Sequence, residues 1–572
     1  MFKSVFPTLD IPKTNILSYL YPTNQTVSDN PIWIDAEDPA KSLSPRQMLS
    51  WVRRLGFGLD RLGVEKGEVV MIITPNHIFV PVAYQGIAGS GRIFSGANPI
   101  YKVPEIQHQL KNTSAKVILT HPSLIQTVLE AARGVGFPED RIFQFSDRPC
   151  RAVYGILDWR EMLGSEEEAN MWKWDDLRES ADSTIATINY SSGTTGLPKG
   201  VCVSHYNLIA NVEQSIFTRD QETPYAAVPG ARPAERWVGF LPLYHAYGKM
   251  LPNHFNPPPK HYLQFPGQLY ANLMAGKLGV PIYIMQKFVF EDFLRVIQKY
   301  RITNLQVAPP ILIMLDKRPE TSKFDLSSIK NILCGAAPLS RELQNTIQKN
   351  LKLNVVQSWG MTELTCSGLY VPGGRTDDSG SVGMLVPNCQ CKILDEEGKI
   401  IYAGEPGELY IRGPNVCMGY WKNEQATRES LDEEGWLKTG DVVIVRDNSF
   451  WVVDRKKELI KVNGLQVAPA ELEAVLLEHA DVADAGVVGI TMNEEERPRA
   501  YVRLQDGPAS STSKAQIQDY MKIRVAKHKQ LTGGVIFVEE VPRLASGKIQ
   551  RKVLKEWAKR DAELPGPQLS KL

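Results

Sequence analysis

Long apolar runs are missing from this chain. A run such as Val69 to Thr74 is a buried strand at most, so no membrane span is expected. Met1 to Asp10 lack the apolar core of a secretory signal. An excess of one charge is missing too. The 65 basic and 64 acidic residues leave +1, and nothing points to a nucleic-acid partner. Cysteine is sparse and odd in number: Cys150, Cys202, Cys334, Cys366, Cys389, Cys391 and Cys417. Their scatter argues against a disulfide framework and predicts free thiols in a reducing compartment. Cys389-Gln390-Cys391 has no second pair of ligands after it. Positions two apart on a strand face one side, so packing is expected of it rather than metal binding. What remains, 43% apolar and 23% charged residues, is a soluble globular composition. A length of 572 residues exceeds one core and implies two or more domains.

The densest chemistry lies at Thr187 to Gly200 (TINYSSGTTGLPKG). A β-prone run, Thr184 to Tyr190, leads into Ser191, Ser192, Gly193, Thr194, Thr195, Gly196 and Lys199. Glycines let backbone N–H groups approach an anion, and hydroxyls with a lysine add charge-assisted hydrogen bonds. The loop reads as a phosphate cradle, although GxxxxGK[ST] is not matched.

Around it, apolar runs alternate with helical patterns. Strands are expected at Val69–Thr74, Val117–Thr120, Pro281–Met285, Asn304–Ala308 and Asn331–Cys334. Helices are expected at Phe79–Gly89, Glu291–Tyr300 and Ser340–Asn350. That grammar predicts an α/β fold of mostly parallel sheets with crossover helices. After about residue 380 short strands follow (Gln390–Leu394, Gly407–Arg412, Val442–Arg446, Phe450–Val453), as in a small β-rich subdomain. Beyond Asp454 the pattern is α+β, with a helix at Pro469–His479, strands near 482–490 and 499–504, and a surface loop at Gly507–Ser513.

Six further blocks carry chemistry: Leu241 to Gly248 (LPLYHAYG), Gln357 to Glu363 (QSWGMTE), Gly435 to Asp441 (GWLKTGD), Asp454 to Lys461 (DRKKELIK), Gly464 to Glu473 (GLQVAPAELE) and Pro542 to Lys548 (PRLASGK). Singly, Asp441 reads equally as a turn former, Lys548 as a solvated charge and Glu363 as an acid at a helix start. In this order, over residues 40 to 556, the seven blocks resemble the adenylate-forming superfamily of acyl-CoA synthetases, 4-coumarate–CoA ligases and beetle luciferases, nearest to 4-coumarate–CoA ligase and its peroxisomal fungal relatives.

The resemblance implies a ligase that converts a carboxylic acid to an acyl adenylate with ATP and Mg²⁺, then to a thioester with coenzyme A. It implies that Ser191, Ser192, Gly193, Thr194, Thr195 and Lys199 hold the outer phosphates, Thr362 the α-phosphate and Glu363 the Mg²⁺. Gln357 and Trp359 would sit at the adenine, with Asp441 and Arg455 at the ribose. Lys548 would stabilise charge at the reacting carboxylate. The acyl pocket would include His245, Tyr247, Gly360, Cys366 and Ser367; His245 is also a catalytic candidate. Residues 1–454 would form the adenylation domain and 455–567 a mobile domain turning about Asp454 to Lys457. One pose would present Lys548. The other would form the thiol tunnel, with Lys461, Asn463, Gly464 and Gln466.

Departures from the family pattern are informative. Ser358-Trp359 replaces Gly-Tyr, Asn463-Gly464 replaces Lys-Gly, and Cys366-Ser367 replaces Pro-Val. Small apolar pocket residues suggest a medium-chain, aryl or polyketide-derived acid rather than coumarate. Lys249 to Gly267, 19 residues with five prolines, is an insertion. It is compatible with a surface loop, a pocket lid or translated intron sequence. The last is favoured, because Gly248-Lys249-Met250 and Phe265-Pro266-Gly267 fit splice-site codons and the length keeps frame. Ser570-Lys571-Leu572, in a 568–572 tail, matches a peroxisomal address read by an import receptor. Peroxisomal secondary metabolism of a mycotoxin-like kind is the expected setting. The alternatives are an enzyme that passes its acyl group to a carrier protein, a luciferase-like oxygenase, or an inactive ATP-binding relative with the insertion blocking its pocket.

Overall fold

The computed structural model describes residues 1–191, 198–223, 233–243, 267–462, 465–492, 495–505, 512–543 and 549–563. Continuous aliphatic runs build its centre. Val69–Ile73 is buried at every position, as a strand covered on both faces must be. It pairs in parallel with Ile93–Ala97 and Val117–Thr120. Ile185–Ser191 joins the sheet in parallel, and Lys199–Ser204 and Gly419–Tyr420 close one edge antiparallel.

A nine-stranded sheet lies beside it. Trp33–Asp35, Ile282–Ile284, Trp237–Gly239, Asn304–Val307, Asn331–Cys334 and Asn354–Gly360 run parallel in that spatial order. Ser367–Tyr370 and Met384–Leu385 finish one edge antiparallel. The helix Phe290–Tyr300 buries Phe290, Phe293, Leu294 and Ile297, the stripe a helix needs against a sheet. One continuous core contains Trp33, Trp159, Trp237 and Phe240.

A third, wholly antiparallel sheet contains Gln390–Leu394, Gly407–Arg412, Leu437–Arg446 and Ser449–Arg455. In this sheet two results differ from the sequence reading. Phe2–Lys3 joins this sheet beside Cys391, because a two-residue strand carries no periodicity to read. The strand expected at Val442 begins at Leu437, so Asp441 lies inside a strand rather than in a turn.

The smaller unit pairs Val482–Met492 with Glu495–Leu504 and places Val535–Phe537 parallel to the latter. It has cores of its own, one with Val467, Leu472, Val487, Val502 and Met521, another with Val488, Tyr501 and Leu554. The α/β class with a large first unit and a small second one is therefore as expected.

All seven cysteines are free thiols. Cys389 and Cys391 are both buried in the core, and burial pushes the Cys391 thiol up to about 12. Among the described residues no helix is long and apolar enough to cross a membrane. The insertion up to Pro266, the loop 507–511 and the tail 568–572 lie outside the described residues.

Candidate active site

Ligands of open α/β sheets bind beyond the carboxyl ends of the strands. Two such ends define this site. The strand Ile185–Ser191 ends at the cradle loop, and its return strand starts at Lys199, paired with Ser191. Gly200 allows the close pairing, since a Cβ there would lie 2.7 Å from Ile188. The Lys199 amine sits 5.1 Å from the centroid of the Tyr420 ring, a cation–π contact. The Tyr420 hydroxyl donates to Glu363 Oε1 at 2.9 Å. Burial, reinforced by the Glu363 carboxylate, raises the Tyr420 phenol well above its ordinary range, so it stays a donor at neutral pH.

Glu363 lies in the single turn Thr362–Leu364, just past the end of Asn354–Gly360. Thr362 and Glu363 are both buried. Among the described residues Glu363 Oε2 accepts no hydrogen bond. Thr365 then turns the chain sharply, with φ +65° and a bond from Cys366 N–H to Leu364 O at 2.6 Å. This is a γ-turn at a β-branched residue, a strain of about 1–3 kcal/mol. The Thr365 hydroxyl holds it by donating to Asn415 O at 2.8 Å. The turn places Cys366 and Ser367 immediately after the buried carboxylate.

The second group stands on paired strands. Asp441 opposes Arg455 in register, and Arg455 Nε lies 3.1 Å from Asp441 Oδ1. Trp359 Nε1–H donates to Asp441 Oδ2 at 2.9 Å. One carboxylate oxygen thus accepts the indole N–H and the other is held in the ion pair. Asp441, above all, raises the affinity of Arg455 for its proton. Lys457 is lowered by burial and by the neighbouring Arg455, with Lys199 adding to the effect. Lys199, Lys457 and Arg455 thus gather positive charge between the two groups, where an anionic ligand would be neutralised.

Other candidate residues lie elsewhere. Gln357 gives both amide protons to the protein, to Leu339 O at 3.1 Å and Gln344 Oε1 at 2.7 Å. Its amide therefore braces the sheet and offers no free donor. Lys461 and Gln466 pair across a short hairpin, and both meet Glu396 of the third sheet's edge turn. Gln466 donates to it at 2.5 Å, and the Lys461 amine lies 3.8 Å away. Gly360 pairs with Ser367 beside the buried Cys366. Ser192, Gly193, Thr194, Thr195, His245, Tyr247, Asn463, Gly464 and Lys548 lie outside the described residues, as does the Ser191 side chain.

A large α/β unit followed by a small α+β unit is the fold of adenylate-forming enzymes. An anthranilate CoA ligase bound to anthranoyl-AMP matches with TM-score 0.80 and 24% identity, covering 98% of this chain and 99% of that one. ATP-bound MatB from Rhodopseudomonas palustris matches with TM-score 0.78 and 23% identity, covering 96% and 99%.

The chain belongs to the AMP-binding enzyme family, whose model matches residues 22–253 and 261–421; the model of the AMP-binding enzyme C-terminal domain matches 471–548. An acyl-CoA synthetase of Alternaria alternata is 37% identical, over 95% of this chain and 91% of its own. A phenylacetyl-CoA ligase of Aspergillus niger is 35% identical over 97% and 99%. A 4-coumarate–CoA ligase of Narcissus pseudonarcissus is 34% identical over 99% and 97%.

Sequence reasoning missed Tyr420, whose Gly-Tyr-Trp setting carries no chemical signature. It also placed Trp359 only at the adenine. The indole N–H, which takes hold of Asp441, is the feature that mattered.

Proposed function

We propose that this protein is an ATP-dependent acid–CoA ligase. It joins a carboxylic acid to AMP with release of pyrophosphate, and the thiol of coenzyme A then displaces AMP. The carrying observation is the pair of pre-oriented carboxylates, Asp441 between Trp359 and Arg455, and Glu363 held by Tyr420, whose ring also meets Lys199.

In this reading the two oriented oxygens of Asp441 accept the ribose hydroxyls, and Arg455 fixes that carboxylate. Lys199 neutralises phosphate charge beside the cradle, Thr362 stands at the α-phosphate, and Lys548 stabilises charge at the reacting carboxylate. Catalysis is then positioning and electrostatics in a preformed site. Glu363 fits a Mg²⁺ ion, which takes one or two carboxylates and otherwise keeps water and phosphate oxygens. When bound, that ion would neutralise phosphate charge.

The substrate class proposed is an aryl, medium-chain or polyketide-derived acid. The phenylacetyl-CoA ligase and acyl-CoA synthetase relatives support this breadth. The C-terminal Ser570-Lys571-Leu572 supports import into peroxisomes and a place in secondary metabolism. The boundary proposed between the units is Asp454/Arg455, where the third sheet ends. The small unit is proposed to turn about Asp454 to Lys457. The engagement of Lys461 and Gln466 with Glu396 then describes one pose of it.

Product analysis with ATP and a panel of acids, with and without coenzyme A, tests the reading. An acyl-CoA formed only with the thiol supports it. A stable acyl adenylate that coenzyme A does not consume would favour transfer to a carrier protein, and an oxidised product would favour an oxygenase. Lys548→Ala is expected to abolish adenylate formation while sparing thioester formation from supplied acyl adenylate. Equal loss of both half-reactions would contradict the two-pose reading.

A further inference from the structure

The sequence suggested a small, apolar acyl pocket. Beyond Cys366 the structure shows something different. The helix His205–Asp220 runs past the strand Ser367–Tyr370 and presents Asn211, Ser215 and Arg219, spaced four apart on one face. Asn211 anchors the pair of elements. It donates to Ser367 O at 2.8 Å and accepts from Ser367 N–H at 2.9 Å. The next two positions are not satisfied in this way. Ser215 Oγ and Arg219 Nη1 are buried and, among the described residues, have no hydrogen-bond partner.

Arg219 is otherwise fixed firmly. Its side chain is 9% exposed, and Nη2 donates to Glu235 Oε2 at 2.7 Å. Trp237 Nε1–H donates to the same oxygen at 2.8 Å, and the guanidinium lies 5.2 Å from the Trp237 ring centroid. Two tyrosines complete the cluster. The Tyr270 and Tyr370 hydroxyls meet at 3.3 Å, both buried. Tyr370 is four residues beyond Cys366, and the thiol acts electrostatically on both phenols, as does Arg219. Burial raises both phenols, so they are neutral donors. Tyr270 is carried by the π-helix Gln268–Met274, a rare element that recurs at functional sites.

Glu235 already balances the Arg219 charge, yet the cluster keeps an excess of donors: Arg219 Nη1, the Ser215 hydroxyl and one tyrosine O–H. A hydrocarbon end group would leave them unsatisfied, and each buried unpaired donor is costly. A carboxylate would add a charge with no counter-ion. We infer that the Arg219–Tyr270–Tyr370 cluster is the distal end of the acyl pocket and selects acids whose far end carries a neutral oxygen acceptor, a hydroxyl or carbonyl. The inference rests on the ligase reading for the placement of the pocket at Cys366.

The test compares shape-matched acids: phenylacetate with 4-hydroxyphenylacetate, cinnamate with 4-coumarate, and octanoate with 8-hydroxyoctanoate and octanedioate. The expected result is a kcat/KM for pyrophosphate release at least about tenfold higher for the hydroxylated member of one or more pairs. Arg219→Lys keeps the charge opposite Glu235 but removes the second nitrogen, and Tyr370→Phe removes one hydroxyl. Each should lower the hydroxylated-to-plain ratio by about tenfold, a readout that general damage to the fold would not move. Equal use of both members by the unmodified protein would overturn the inference. So would a ratio unchanged in both variants, or a preference for the dicarboxylate. Absence of pyrophosphate release with every acid would count against the ligase reading instead. Calorimetric binding of the same pairs would then decide the subsite by the same ratio.

Discussion

Asp441 and Asp454 are two buried aspartates on neighbouring strands, one residue out of register with each other. They have opposite surroundings. Asp441 is gripped by side chains, the indole of Trp359 and the guanidinium of Arg455. Asp454 is gripped by backbone. Its Oδ2 accepts from Ala470 N–H at 3.0 Å, in the first turn of the helix Pro469–Leu477, and its Oδ1 accepts from Arg455 N–H at 2.7 Å. Burial pushes the Asp454 carboxyl up to about 6, against the pull of Arg551. One carboxylate is oriented by two side chains and is the one proposed to receive the ribose. The other joins the third sheet to the small unit. The same residue type serves both ends because strand neighbours face opposite sides of a sheet.

The largest expected effect falls on Asp441, the member proposed to face the nucleotide. Asp441→Asn loses the charge that orients Arg455, and hydrogen bonds to a charged group are worth about 1.5–3 kcal/mol. A fall in kcat/KM for ATP of about 10–100-fold is expected in steady-state kinetics. A loss under twofold would remove Asp441 from the nucleotide site.

Asp454→Asn should act on stability, through pH. The native pKa of about 6 exceeds the ordinary 3.8, so between those values the native state holds the proton that the unfolded chain has released. Stability therefore falls as pH rises through that window and levels off above about 6. The full shift corresponds to ~3 kcal/mol. Relative to Asp454→Asn, the unmodified protein should lose ground between pH 4 and 6 in denaturant midpoints. A constant difference across that range would show the carboxyl to be unperturbed.

Trp359→Phe keeps a ring at the position proposed for the adenine and removes one donor to Asp441. A rise in KM for ATP of about 3–10-fold is expected, the worth of one such bond. An unchanged KM would show that Arg455 alone suffices.

The smallest effect is expected from deleting residues 249–266. The described residues that flank 244–266 lie close together. A Cβ at Gly267 would lie 2.1 Å from Pro242 O, and Asn272 Nδ2 donates to Leu243 O at 2.9 Å. Loop length alone changes stability slowly, so the unfolding free energy read from urea curves should change by under about 1 kcal/mol. A large loss would make the insertion part of the fold.

The extent of sequence legibility follows from how local each feature is. Val117–Thr120, Asn331–Cys334 and Gly407–Arg412 fall where their apolar runs put them, because buried strands advertise themselves by composition. Helix ends moved by a residue or two, as at Arg341–Leu351. The site was legible as a set of blocks, but its pairings were not. Trp359 reaches Asp441 across 82 positions, and Tyr420 reaches Glu363 across 57, distances that no local pattern encodes. The polar wall at Arg219 was hidden for the same reason. Its members come from one helix, the π-helix, the approach to Trp237 and the strand Ser367–Tyr370, and each looks ordinary alone.

The most direct test of the adenylate-forming account is acid-dependent exchange of labelled pyrophosphate into ATP, in the absence of coenzyme A, by the unmodified protein and by Asp441→Asn. Exchange that requires the acid, and that falls in the variant, is the predicted result. No exchange with any aryl, medium-chain or branched acid would contradict it, since reversible formation of an acyl adenylate cannot then occur at this site.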